Sequence, residues 1–455
     1  MKQPAGEEGG LRELARVAYP LILSTASNTI MQFTNRVFLA HYSPDALAAC
    51  VPGGLLAFVF GCFFVGTASY TNAFVSQYYG RGKTASVSVA VWQGVWLGLA
   101  AGAVLLALTP LGFYIIGHSG HPAAVIVLEK QYFAVLNAGG IVAITNVALS
   151  AFFTGRGKTK VPMAVNMAGN ALCVLLSWLL VFGAGPLPAL GIRGAGFAAV
   201  AGQLLMLALY LRLIFSPYNR RRYRTARLVG IHKGLFLRLI KYGAPNGVGF
   251  FLDVASFGAF IFIVGGLDEV SLAANNIIAS INMIAFMPVV GLGLAALTLV
   301  GKYIGMKKHD VAERVAYTAA KAAGVYSLAL GLLFVSVPGL FINIFGSGNS
   351  AEYAEILAAT RPLMKVLSVF IFFDALGMIF ADALRGAGDT RFQMLGTSAA
   401  AWLLFVPGVW YITHRAGGEL IHAWAWGGFY VFLLAVLFTL RFRSGLWRRI
   451  DILKG

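Results

Sequence analysis

The chain has 455 residues, of which 59% are hydrophobic and 11% charged, with a mean hydropathy of +0.78. A soluble domain of that length has no means of covering so much apolar surface, so the composition excludes a soluble enzyme and selects a polytopic membrane protein. The formal charge of +18 would suggest nucleic acid in a soluble chain, but here the basic residues gather in alternate loops between apolar segments. That is the positive-inside pattern, so the expected surroundings are a lipid bilayer and no nucleic acid.

The first ten residues, MKQPAGEEGG, are polar and carry no apolar core ending at a cleavage site, so no cleaved signal peptide is expected. Twelve apolar segments follow, each long enough for the ~20 residues a span requires. They run near 15–41, 46–75, 87–110, 123–152, 161–183 and 194–215, then near 238–266, 271–300, 312–337, 353–384, 393–413 and 420–441. Loops after even-numbered segments are basic: Arg81 and Lys83; Arg156, Lys158 and Lys160; Arg220 to Arg222, Arg224 and Arg227; Lys302, Lys307 and Lys308; Arg385 and Arg391. Loops after odd-numbered segments are almost free of Lys and Arg, with Arg193 and Arg415 as exceptions. Both termini are therefore expected in the cytoplasm, in a multi-pass plasma membrane protein.

The second half copies the first. At an offset of 225, Pro245 falls on Pro20, Leu272-Ala273-Ala274 on Leu47-Ala48-Ala49, and Val300-x-x-Tyr303-x-Gly305-x-x-Lys308 on Val75-x-x-Tyr78-x-Gly80-x-x-Lys83. At an offset of 231, GAGDT at 386–390 echoes GRGKT at 155–159. Six segments per half is an even number, so the repeats are parallel, related by a pseudo-two-fold axis along the membrane normal. The expected division is 1–215 and 234–455 as two six-helix bundles, joined by a basic linker at 216–233. Pro20, Pro245 and Pro288 sit inside apolar runs and are expected to bend their helices. Gly53-Gly54, Gly139-Gly140 and Gly291-x-Gly293 allow close helix approach.

One residue breaks the symmetry. Asp253 stands in the middle of PNGVGFFLDVASFGAFIFIVGG, where the first half has Asn28. A charge at that depth costs roughly 2.5–3.5 kcal/mol on insertion scales, so it is expected to face a cavity, a partner or an ion. Asp374, in the aromatic stretch of Phe370, Phe372 and Phe373, has the same standing in segment 10. Two such carboxylates facing one space would repel, and a shared proton or Na⁺ relieves that. Asn275, Asn276 and Asn282 of segment 8 are candidate oxygen ligands beside helix-packing roles, and Phe250, Phe257 and Phe373 are candidate cavity aromatics. Asp382 is expected to pair with Arg385 three residues on. His118 and His121 are expected as solvated loop residues. Cys50, Cys62 and Cys173 lack metal or disulfide spacing and read as small core residues. The run GRGKT has part of a phosphate loop, but not its full spacing or a Walker-type acid. It reads as a turn, and an ATP-driven pump is disfavoured.

The symmetric halves and the motifs LAAC (47–50), VSQYYGRGK (75–83), GIRGAGFAAV (191–200), FMPVVGLGLAALTLVGKYIG (286–305) and DALRGAGDTR (382–391) together resemble the multidrug and toxic compound extrusion (MATE) transporters, NorM- and DinF-like. The resemblance implies a non-enzymatic, cofactor-free exchanger of organic compounds for Na⁺ or H⁺ by alternating access. Asp253 and Asp374 match its second-half cation site. It departs in the first half, where the family's helix 1 Asp falls on Thr34-Asn35-Arg36 and its helix 5 Asn and Asp fall on Cys173 and Ser177. Asn35 is then a neutral candidate ligand, and Arg36 either snorkels or stands in for a cation. A lipid-linked oligosaccharide or lipid flippase of the same superfamily is the alternative. A monomer is expected.

Overall fold

In lipid every backbone polar group must be satisfied within its own segment, so apolar runs of this length become helices. The computed structural model describes residues 8–183, 188–226, 230–345 and 351–454. The first seven residues, Arg227 of the basic linker and 346–350 of the outer loop lie outside the described residues. The helices are α1 (Leu11–Tyr42), α2 (Pro44–Ser69), α3 (Thr71–Gly80), α4 (Thr84–Gly117), α5 (Ala123–Thr154), α6 (Lys160–Phe182), α7 (Gly191–Ile214) and the short α8 (Pro217–Tyr223). The second half holds α9 (Lys233–Val264), α10 (Glu269–Gly305), α11 (His309–Ser336), the short α12 (Pro338–Ile342), α13 (Ala351–Ala387), α14 (Thr390–Ala399), α15 (Val406–His414) and α16 (Leu420–Arg443). A π-helical turn, Ala400–Phe405, joins α14 to α15.

Among the described residues, eleven spans meet the length and hydropathy needed to cross a bilayer, with α2 and α3 taken as one and α14 and α15 as another. The twelfth is α1. Its 32 residues rise about 48 Å, well beyond the ~30 Å hydrocarbon core. Its hydropathy is lowered by Ser24, Ser27, Asn28, Thr34, Asn35 and Arg36. The expected all-α, twelve-span architecture is thus present. The helices continue through Pro20, Pro245 and Pro288.

Packing divides the chain elsewhere than the sequence repeat does. One unit holds residues up to Ile22 together with Gly249–Asp451; the other holds Leu23–Val248 and Ile452–Gly455. The boundaries fall inside α1 and α9, two and three residues past Pro20 and Pro245. The expected bundles, 1–215 and 234–455, therefore exchange the N-terminal parts of their first helices. The reason lies in the side chains. Leu14, Val17, Ala18 and Leu21 of α1 are buried in one core with Val300, Ala316 and Leu384. Glu13 there accepts from Lys302 Nζ at 2.8 Å and Tyr303 Oη at 2.6 Å. In the other unit, Asn246 Nδ2 of α9 donates to the Gly66 carbonyl at 2.6 Å, and the Gln93 amide accepts from the His232 backbone at 2.9 Å.

Each unit uses small residues for close packing. At Gly202 a Cβ would meet the Gly169 carbonyl oxygen at 2.7 Å, so α6 and α7 touch backbone to backbone. Gly293 leaves room for the Asp382 carboxylate. That carboxylate pairs with Arg385, as the i, i+3 spacing predicts. The three cysteines are free and buried.

Candidate functional site: a carboxylate pair in the second half

Asp253 lies on α9 with its side chain accessible, two turns past Pro245, and Asp374 is half-buried on α13. The two are near enough for the charge of one to act on the other. A positive charge that acts on Asp253 is Arg385, in the last turn of α13. The third member was not among the sequence candidates. Tyr430 of α16 is 7% exposed, its hydroxyl is buried without a hydrogen-bond partner among the described residues, and it feels the field of both carboxylates. A buried hydroxyl without a partner costs about 1–3 kcal/mol, so an oxygen held this way invites a proton or cation.

The surroundings are aromatic. Phe257 stacks on Phe260, Phe260 on Phe405 and Phe405 on Tyr430, at centroid distances of 6.0, 5.6 and 4.7 Å. Phe257, a sequence candidate, is the half-exposed end of this stack at 40% exposure. Phe373 sits edge-on to Phe432 at 4.9 Å, and Phe250 is half-buried. The π-turn supplies Phe405 and also Trp402, whose indole donates to the Leu252 carbonyl at 3.2 Å, one residue from Asp253. Such turns insert an extra residue into a helix and occur often at functional sites.

The asparagines of α10 do not join the pair by any hydrogen bond among the described residues. Asn275 accepts from the Trp424 indole at 3.0 Å and leaves its Nδ2 buried without a partner. Asn282 Oδ1 is likewise unpartnered, and Asn276 is exposed with its carbonyl taken by Ser280 at 2.7 Å. No cluster of three or more His, Cys, Asp or Glu occurs among the described residues. The available oxygens (two carboxylates and one hydroxyl) suit a shared proton, or a hard monovalent cation completed by water.

The first half assembles its counterpart from neutral groups. Asn35 Nδ2 lies 3.4 Å from Met31 Sδ and 3.5 Å from Cys173 Sγ, and Cys173 lies 4.0 Å from Ser177 Oγ. Closer to the N-terminus of α1, Asn170 donates to Ser27 at 3.1 Å and Asn166 to Ser24 at 2.8 Å. A cavity of about 150 Å³ opens beside them, with Met31, Ala143, Asn170, Cys173, Gln203 and Met206 in its walls. Asn28 is exposed, and so is Arg36, which makes no ion pair among the described residues. His121 differs from expectation: its Nδ1 lies 2.7 Å from a carboxylate oxygen of Glu129, which is only 1% exposed. His118 is solvated, as expected.

An all-helical, twelve-span membrane protein with two related halves and an accessible pair of intramembrane carboxylates belongs among the secondary transporters by its architecture. The chain belongs to the MatE family, whose profile matches residues 20–179 and 245–410. It is 26% identical to a "Probable multidrug resistance protein NorM" of Bradyrhizobium diazoefficiens, over 95% of this chain and 92% of that one. Identity to the NorM of Thermotoga maritima is 24%, over 97% and 94%. Identity to "Multidrug resistance protein PmpM" of Pseudomonas aeruginosa is 27%, over 87% and 83%. The fold matches that of an outward-facing multidrug resistance MATE family transporter with a TM-score of 0.87 at 16% identity, over 99% of this chain and all of the other. It also matches the eukaryotic MATE transporter AtDTX14, with a TM-score of 0.83 at 22% identity and 96% of both chains covered.

Proposed function

We propose that this chain exports organic compounds, lipophilic cations among them, in exchange for Na⁺ or H⁺ by alternating access, with the coupling ion at Asp253 and Asp374. The observation that carries this is the carboxylate pair itself: two acids on different helices within each other's field, with an unpartnered Tyr430 hydroxyl beside them. Substrate enters from the cytoplasm or inner leaflet of a bacterial inner membrane, in which both termini are cytoplasmic. The exposed end of the aromatic stack, at Phe257, offers cation–π contact, which suits lipophilic cations. Binding of the coupling ion neutralises the repulsion between the carboxylates and changes how α9 packs. By linkage, substrate and ion then oppose each other's binding by the same factor.

The test is efflux of a fluorescent organic cation from preloaded proteoliposomes under an inward Na⁺ gradient and, separately, an inward pH gradient. The proposal expects one gradient to drive efflux in the wild type and neither to do so in D253N or D374N. Gradient-driven efflux that survives in both variants would place the coupling ion elsewhere, with Asn35 and Arg36 next to examine.

A further inference from the structure

The run GRGKT, unused by transport so far, forms the turn between α5 and α6. Gly157 takes the left-handed conformation at φ 72°, and the Lys158 amide closes the turn on the Phe153 carbonyl at 3.0 Å. This geometry buries Arg156 to 5% exposure. Its guanidinium lies 3.8 Å over the Phe152 ring and 4.5 Å over Tyr223. Nε donates to the Phe152 carbonyl at 2.5 Å and Nη1 to Asn219 Oδ1 at 3.4 Å. Among the described residues, Nη2 is buried with no partner, and so is the Thr159 hydroxyl in the same turn. Burial pulls the Arg156 guanidinium below its ordinary pKa, while the neighbouring Tyr223 acts the other way.

A buried cation is ordinarily paired, and an unpaired one is strongly destabilising. Here no carboxylate pairs with Arg156 among the described residues. The sequence shows why: between Glu129 and Asp253 there is no Asp or Glu, while Lys and Arg recur throughout. More cations converge on the same place. Arg222 of α8 is acted on by Tyr218 and Tyr223, as Arg156 is. Lys158 Nζ lies 5.3 Å over the Tyr218 ring. Tyr218, Arg221 and Arg222, with Pro217, line a surface recess of about 420 Å³. The second half fills the equivalent turn differently. In GAGDT, Ala387 replaces Arg156 and Asp389 replaces Lys158, and Asp389 accepts from Arg441 at 2.8 Å. The second half therefore supplies its own anion, whereas the first half does not.

We propose that the GRGKT turn and α8 form a binding site for a phosphate group, with Arg156 and Thr159 as its buried donors and Lys158, Arg221 and Arg222 as its rim. A phosphate offers several acceptor oxygens to a planar guanidinium and a hydroxyl at once. Two sources share that chemistry: the phosphodiester of an anionic lipid headgroup, which basic pockets on the cytoplasmic side of membrane helices accommodate, and free inorganic phosphate.

The experiment uses the purified full chain in two arms. In the first, native mass spectrometry counts lipid retained after reconstitution with phosphatidylglycerol or phosphatidylcholine. In the second, inorganic phosphate is titrated in detergent against thermal unfolding. Wild type should retain phosphatidylglycerol over phosphatidylcholine, or be stabilised saturably by phosphate. The first result names the lipid as the source and the second the free ion. R221A/R222A should weaken whichever binding is seen by about fivefold per charge removed, and R156K should weaken it further by losing the planar fork. Should R156A fail to fold, these two variants carry the decision. The proposal is overturned by equal retention of the two lipids together with no response to phosphate, or by binding that neither R156K nor R221A/R222A alters.

Discussion

The two halves descend from one pattern and have parted in where they keep their charges. The second half holds two carboxylates at mid-span and balances its basic loop ends with pairs of its own: Asp382 with Arg385, Asp389 with Arg441. The first half has Asn28 where the second has Asp253, and Ala143 at the offset that carries Asp374. The polar groups around its counterpart site are amides, hydroxyls and a thiol, and the buried Arg156 of its GRGKT turn pairs with no carboxylate among the described residues. A repeat can thus keep its fold while one copy retains the groups that titrate and the other retains only their shape. Coupling chemistry in this protein is expected to be one-sided.

Breaking that asymmetry should have graded effects. Removing either acid has the largest. D253N and D374N should abolish ion-driven efflux while leaving the fold intact, as transport rates in proteoliposomes would show. Next is E13A, which strands the partly buried Lys302 and the Tyr303 hydroxyl. It should cost about 3 kcal/mol and lower the unfolding temperature, whereas E8A, removing an exposed pair with Lys308, should change it little.

Restoring an acid to the first half sharpens the comparison from the other side. N35D places a carboxylate beside Cys173 with no cation in hydrogen-bond reach. It should cost roughly 2.5–3.5 kcal/mol as an anion, so the variant should be less stable at high pH than at low pH, unlike the wild type. A pH-independent unfolding temperature in N35D would show that Arg36 neutralises the site. The smallest effect on stability belongs to Y430F. It deletes a hydroxyl that has no partner, so stability should stay within about 0.5 kcal/mol, while the ion dependence of efflux should weaken severalfold.

Much of this was legible in the chain. The repeat, the spans, the two carboxylates and the Asp382–Arg385 pair follow from hydropathy, offset and spacing, which are local or periodic signals. Three features were not. The crossing of α1 and α9 between packing units depends on which side chains meet in three dimensions, and an apolar helix shows no face that reveals it. Tyr430 lies among Trp424, Trp426, Phe429 and Phe432, a run indistinguishable in sequence from lipid-facing aromatics. The pairing of His121 with Glu129 joins a loop to a helix eight residues on, outside the three- and four-residue spacings that helices advertise. Arg156 was visible as one basic residue among many, and only its burial separates it from the solvated ones.

The most direct measurement is the proton or ²²Na⁺ released when a saturating organic cation is added to the purified protein in weakly buffered detergent, for wild type, D253N and D374N. The account predicts release of one ion species from the wild type and none from either variant. Undiminished release from both variants would contradict it and move the coupling ion out of the second half.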